Sequence, residues 1–202
     1  MSRPRPLSHD PIAEAYRQWV AHGWESVADG MALVTSLVRA QQIVMARVDE
    51  ALKPSGLTFS RYELLQLLSF SRTGALPMAK ASARLQVHPT SVTNTVDRLE
   101  AAGLVIRVPH PSDRRATLIE ITDEGRKSVS EATAALNAEV FAEPGLPADQ
   151  GRDLIRLLAQ FRHAAGDFDI DDPENLAFHA TWQPAGESSA DPLAASAKRS
   201  TM

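Results

Sequence analysis

The sequence contains no cysteine. That excludes a disulfide scaffold, a zinc–thiolate site, and any thiol nucleophile or redox sensor. No run approaches the ~18 uncharged apolar residues of a membrane span, so none is expected. Arg3 and Arg5 have no apolar run behind them, so no secretory leader is expected, and a cytoplasmic location follows. Glycine is sparse and scattered, 10 in 202 residues, and forms no phosphate-binding loop. The six histidines stand apart, with no HExxH and no histidine–carboxylate pair at ligand spacing, so no metal is called for. No serine or aspartate sits in a nucleophile elbow. These absences argue against an enzyme, and no cofactor is expected. Asp169, Asp171, Asp172 and Glu174 imitate a cation site, but a solvated acidic tail accounts for them more simply.

An excess of positive charge is missing too, since the net charge is -4. The distribution says more than the sum. Residues 60–120 carry eight basic and five acidic side chains, whereas residues 166–202 carry two and seven. An acidic end masks a mildly basic middle.

Periodicity gives the elements. Residues 1–10 hold prolines and little to bury, and read as a flexible arm. Asp10 and Pro11 open a helix to residue 29 with Ile12, Tyr16, Trp19 and Val20 on one face; Asp29-Gly30 is the expected break. A second helix is expected from Met31 to Leu52, striped by Leu33, Leu37, Val38, Val44 and Val48. Thr58 or Ser60 caps a third, with Tyr62, Leu64, Leu65, Leu67 and Leu68 inward. A short helix is expected from Pro77 to Leu85, then a turn through Gln86-Val87-His88. Pro89 opens another helix, which Gly103 closes. The period then changes. Leu104–Val108 and Ala116–Ile121 read as strands around a seven-residue loop. Thr122-Asp123-Glu124 caps a long helix to about Phe141, and a last helix starts at Pro147 or Ala148 and ends near Gly166.

This order predicts a mainly α chain: a winged helix-turn-helix over residues 57–121, with a two-stranded β wing. Residues 11–56 and 122–165 supply flanking helices too long and too apolar for so small a domain. Their expected use is dimerisation with a second copy. Residues 166–202, acidic and aperiodic, read as a disordered tail.

The helix opened by Pro89 carries the clearest candidate site. At about 100° per residue, Val92, Val96 and Leu99 form one stripe, and Thr90, Asn94, Asp97, Arg98 and Ala101 lie opposite, with Ser91 at the edge. An ordinary solvent face would be rich in Glu and Lys. This one is rich in short hydroxyl and amide side chains, which suit close approach to base edges in a DNA major groove. Thr90 and Ser91 lie in the first turn, where free N–H groups favour a phosphate. His88 reads as a turn residue or a phosphate contact. Arg72, Lys80 and Arg84 are candidate phosphate contacts, or simply solvated cations. The plain alternative for the whole face is a polar surface that happens to favour threonine.

GLTFSRYELLQLL and HPTSVTNTVDRLEAAGLVIRVPHPSDRRATLIEITDEG, with Asp113-Arg114-Arg115 in the loop, resemble the MarR (multiple antibiotic resistance regulator) family of bacterial transcription factors. The resemblance covers residues 57–125 firmly, and extends to the helices at 31–53 and 122–165. It implies a homodimeric regulator, a repressor by preference, that binds double-stranded DNA at a pseudo-palindromic operator. By that resemblance Thr90, Ser91, Thr93, Asn94 and Arg98 face the major groove. One of Arg114 and Arg115, preferably Arg115, enters the minor groove while Asp113 braces the loop. A rival reading is a winged-helix interaction or dimerisation module without DNA affinity. Members of the family commonly hold small aromatic or anionic effectors beside the dimer helices. Trp19, His22, Trp24 and Arg39 are candidates for such a pocket, and a dimer-interface core is the plainer use of the tryptophans.

Overall fold

The computed structural model describes residues 7–86, 88–112, 116–169, 172 and 175. The chain divides into two compact units between Ala142 and Glu143. The first unit opens with helix α1 (Pro11–Ala21), where Asp10 accepts from the Ile12 N–H at 2.9 Å and Pro11 fills the first helical position. Gly23 then adopts φ +77°, and the Trp24 N–H donates back to the Trp19 carbonyl at 3.0 Å. Helix α2 (Glu25–Leu52) follows and runs straight through Gly30. The expected break at Asp29-Gly30 is therefore corrected. The reversal needs a left-handed residue, and Gly23 supplies it. Inside α2, Gly30 costs only about 1 kcal/mol of helix propensity.

Helix α3 (Phe59–Phe70) buries Tyr62, Leu64, Leu65 and Leu68. Strand β1 (Ala75–Pro77) precedes helix α4 (Met78–Leu85). Pro77 thus ends a strand where a helix start was expected, and the sheet has three strands rather than the two of the predicted wing. Three residues are too few for alternation to show in a sequence, and β1 exists because β3 offers it a free edge. After α4, Gln86 turns the chain at φ 52°. Helix α5 (Pro89–Ala101) buries Val92, Val96 and Leu99, as their spacing predicts. Gly103, at φ +72°, closes it, with the Leu104 N–H bonded to the Leu99 carbonyl at 2.9 Å. Strands β2 (Val105–Pro109) and β3 (Thr117–Ile121) pair antiparallel, Val105 opposite Ile121 and Pro109 opposite Thr117. β3 is central, in the order β1-β3-β2.

Helix α6 (Asp123–Leu136) starts with Thr122 as its cap and ends in a π turn (Asn137–Phe141). There the Ala142 N–H reaches the Asn137 carbonyl, and Arg47 donates to the Glu139 carbonyl at 3.0 Å. The core of this unit joins Val48, Ala51 and Leu52 of α2 to Leu64, Leu65 and Leu68, Val96 and Leu99, Ile119, Val129 and Leu136. The second unit holds helix α7 (Ala148–Ala164), which has no buried residue. At its end Gly166 reverses the chain at φ +76°; Asp167 pairs with Arg162 at 2.5 Å, and the Phe168 ring lies 5.3 Å from that guanidinium. Among the described residues no helix is long and apolar enough to cross a membrane. Most of the expected flexible arm and acidic tail, residues 1–6 and 176–202, lies outside the described residues.

One junction holds α5, the sheet and α6 together. The Thr122 hydroxyl donates to the Gly103 carbonyl at 2.8 Å and accepts from the Gly125 N–H at 3.0 Å, and the Thr122 N–H donates to the Leu104 carbonyl at 3.1 Å. Gly125 is buried so tightly that a Cβ would stand 2.1 Å from the Leu104 oxygen and 2.8 Å from Ile121 Cγ1. Gly125→Ala is expected to cost about 2–3 kcal/mol, because backbone must move to admit the methyl. Thr122→Ala is expected to cost about 1–2 kcal/mol for the lost cap. Urea unfolding monitored by circular dichroism measures both, and a Gly125→Ala protein as stable as wild type would refute the tight packing.

Candidate functional site

The exposed face of α5 is built from the core outward. Val92, Val96 and Leu99 fix the helix against α3 and the sheet. Thr90, Ser91, Thr93, Asn94, Asp97 and Arg98 consequently reach solvent. Asn94 points directly away from the buried stripe. The Thr95 hydroxyl donates back to the Ser91 carbonyl at 2.9 Å, so it is spent within the helix. His88 is the N-cap: its Nδ1 accepts from the Thr90 N–H at 3.3 Å and lies 3.1 Å from the Thr90 hydroxyl. Accepting at Nδ1 leaves the ring proton on Nε2, on the outer edge of the ring.

Electrostatics sharpen this face. Arg107 on β2 donates to Asp97 Oδ1 at 2.5 Å and to Glu100 Oε2, while its backbone N–H donates to Glu100 Oε1 at 3.3 Å. The bond donated to Asp97 is the main reason the guanidinium becomes a still stronger base. Both carboxylates of α5 are thereby drawn to one flank, toward the base of the wing. Among the described residues no carboxylate lies within ion-pair distance of Arg98, Arg72, Lys80 or Arg84. Lys80 and Arg84 are four residues apart on the exposed side of α4, and Arg72 stands in the turn after α3. Glu63 of α3 borders a small cavity of about 110 Å³ with Ser91 and Thr95, and burial pushes its carboxyl above the ordinary value. The wing loop starts with the His110 N–H bonded to the Ala116 carbonyl at 3.1 Å. Asp113, Arg114 and Arg115, the sharpest sequence signal, lie outside the described residues.

The four candidate effector residues do not converge. Trp19 and Trp24 meet edge to face at 5.5 Å, and His22 stacks on Trp24 at 5.5 Å. Beside them Asp29 raises the Tyr16 phenol, first through its charge and then through their hydrogen bond. Arg39 stands fifteen residues beyond Trp24, about 22 Å along α2, and bonds Gln42 at 3.2 Å. A cleft that the sequence reading missed lies between α3 and α6, with a volume of about 390 Å³. Gln66, Ser69, Arg126, Ser130, Thr133 and Asn137 give it hydroxyl, amide and guanidinium groups. The Thr133 hydroxyl sits 3.1 Å from Gln66 Oε1 and 3.3 Å from the Tyr62 hydroxyl. The signal was available: Arg126, Ser130, Thr133 and Asn137 recur at helical spacing, as a polar stripe beside the apolar one of α6.

Comparison with known proteins matches a family model, described as the MarR family, to residues 55–116. Among solved structures the chain is similar to Sco5413, a MarR family transcriptional regulator from Streptomyces coelicolor. Identity is 51%, covering 70% of this chain and 98% of that one, with a TM-score of 0.63. CouR from Rhodococcus jostii RHA1, bound to p-coumaroyl-CoA, is 32% identical over 63% of this chain and 91% of that one, with a TM-score of 0.54. Sco3205 from Streptomyces coelicolor, a MarR family transcriptional regulator in complex with DNA, is 25% identical over 69% of this chain and 92% of that one, with a TM-score of 0.58.

The cap at the start of α5 gives a direct test of how this face is held. His88→Ala removes the acceptor for the Thr90 N–H and is expected to lower stability by about 1 kcal/mol, which His88→Asp restores. Thermal unfolding of the three proteins checks it; equal stability of His88→Ala and wild type would remove His88 as the cap.

Proposed function

The chain belongs to the MarR family of transcriptional regulators, and from that premise we propose that it is a homodimeric, sequence-specific DNA-binding repressor. It acts on a pseudo-palindromic operator, in the cytoplasm, with no catalytic step. The exposed face of α5 carries this reading. Thr90, Ser91, Thr93, Asn94 and Arg98 stand on a helix pinned from behind and capped at both ends, with their carboxylate neighbours drawn aside. Side chains held on a rigid element suit readout of base edges. Sco3205, solved with DNA, supports the same use of the fold. Arg115, or else Arg114, enters the minor groove, braced by Asp113, where a narrow groove concentrates negative potential. Arg72, Lys80, Arg84 and His88 contact phosphates and set the register.

Dimerisation is the reading that best covers the exposed apolar helices. On α2, Val27, Leu33, Val34, Val38, Ile43 and Val44 are exposed; on α7, Leu154, Ile155, Leu157 and Phe161 are exposed. Monomers rarely leave so much apolar surface to water. Two-fold symmetry implies half-sites about one helical turn apart, roughly 10 bp. The α3–α6 cleft, whose volume falls in the usual range for ligand pockets of about 300–1,000 Å³, supports release by a small anionic effector. Arg126 supplies the charge, and the hydroxyl and amide groups supply donors. CouR, bound to p-coumaroyl-CoA, supports the class of effector. The Trp19–His22–Trp24 cluster serves the dimer interface.

Two measurements test the reading. In light scattering at micromolar concentration the full chain is expected to run as a dimer, and Leu33→Glu/Val38→Glu on the exposed stripe of α2 is expected to abolish it. A stable full-length monomer would remove the palindromic operator. The second uses the duplex that full-length protein recovers from a random 30-bp pool, titrated with salt beside a scrambled duplex. Asn94→Ala is expected to cost about 1–3 kcal/mol on the selected duplex and far less on the scrambled one. Arg115→Ala is expected to weaken both and to lower the salt slope by about one unit. Recovery of no preferred duplex would favour the interaction module without DNA affinity.

A further inference from the structure

Arg107 sits apart from the bases that α5 would read, yet it controls the charge those bases meet. Asp97 immediately precedes Arg98 on α5 and stands about 60° around the helix from Asn94. Its side chain keeps 56% of its exposure, whereas that of Arg107 keeps 29%. A carboxylate at that edge is badly placed for a surface that must approach phosphates spaced one charge per about 1.7 Å of duplex axis. It would repel the backbone. Glu100, one turn on, adds a second negative charge. Arg107 reaches across from β2 and donates one bond to each.

The two carboxylates are not held alike. Glu100 is also fixed by the Arg107 backbone N–H at 3.3 Å, a bond that survives any change of side chain. The contact that holds Asp97 to the wing side is the guanidinium.

We propose that Arg107 is a positioning residue for DNA binding. It draws the Asp97 carboxylate off the reading face of α5 and so removes a negative charge from the approach to the phosphates. This rests on the DNA-binding reading above and adds a device to it. Arg107 makes no DNA contact of its own, and its contribution is the removal of a repulsive charge. The structural alternative is a brace that merely stiffens the wing. The two differ in what should repair the loss. A missing brace is not restored by deleting its partner's charge, whereas a missing screen is.

The test uses full-length protein, the duplex selected from the random 30-bp pool, and its scrambled counterpart. Thermal unfolding of every variant accompanies the titrations. Arg107→Gln is expected to weaken both duplexes by about tenfold with the salt slope unchanged, because no phosphate contact is lost. Adding Asp97→Asn to it is expected to bring affinity back to within about threefold of wild type, while adding Glu100→Gln is expected to recover far less. Asp97→Asn alone is expected to bind as well as wild type or more tightly. A double variant Arg107→Gln/Asp97→Asn as weak as Arg107→Gln would overturn the proposal in favour of the brace. A salt slope that falls by about one unit in Arg107→Gln would overturn it in favour of a direct phosphate contact. Should Arg107→Gln fail to fold, Asp97→Asn decides alone, since a tenfold loss there would make Asp97 a base-reading residue. Wild-type protein that binds neither duplex would refute the DNA-binding reading itself, an outcome distinct from all of these.

Discussion

The winged helix-turn-helix lobe depends on one hydroxyl. Thr122 ends the sheet, caps α6 and holds the carbonyl at the end of α5, so three elements meet within one residue's reach. A helix-turn-helix followed by a hairpin has no intrinsic angle between the two. Here the angle comes from the chain crossing itself at the start of α6, with Gly125 allowing the Leu104 carbonyl closer than any side chain would permit. Buried backbone groups must find partners, and this crossing satisfies those of the α5 end and the α6 start together. The wing inherits its direction from that knot, and α5 inherits its outward face.

Charge is arranged on the same principle of local satisfaction. The overall negative sum would count against a polyanion partner, but it is an average over regions that never act together. Among the described residues of the lobe that carries α4 and α5, Arg72, Lys80, Arg84 and Arg98 have no carboxylate at ion-pair distance, and the α5 anions are held by Arg107. A formal net charge cannot express that arrangement. The cleft between α3 and α6 follows another logic: its hydroxyl and amide groups bond one another across two helices, and Arg126 lies over Gly74, where any Cβ would collide with it.

Legibility in the sequence followed the range of the interaction. Residues whose backbone chemistry has one local consequence were read directly: Pro89 opening a helix, Gly103 closing it, Thr122 capping the next, and β-branched runs pairing as strands. The buried stripe of α5 and the outward face opposite were equally plain, because helical spacing alone decides them. Failures came where competition or distance decided. Gly30 was read as the breaker, whereas the left-handed turn falls at Gly23, inside the expected helix. β1 was too short to show a period. Arg39 was grouped with the aromatic cluster through the family resemblance, although helix rise carries it far away. Arg107 read as a strand residue, since its partners lie seven and ten positions back on another element. The polar stripe of α6 was periodic enough to notice, but its meaning needed Gln66 and Ser69 opposite.

Helix α2 carries a consequence of its own. Its hydrogen bonds are continuous over 28 residues, yet its anchoring is lopsided. Val48, Ala51 and Leu52 are sealed in the core, whereas Ala28 is the one buried residue among the described positions before them. Amide protons near Leu52 should therefore exchange with solvent only when the whole unit opens, and those around Leu33 to Val44 by local fraying. The single rod thus has a slow end and a fast end. The fast end is the part whose protection would rise with chain concentration, so that isotope exchange along this one helix reads the monomer's own stability at one end and the strength of its self-association at the other.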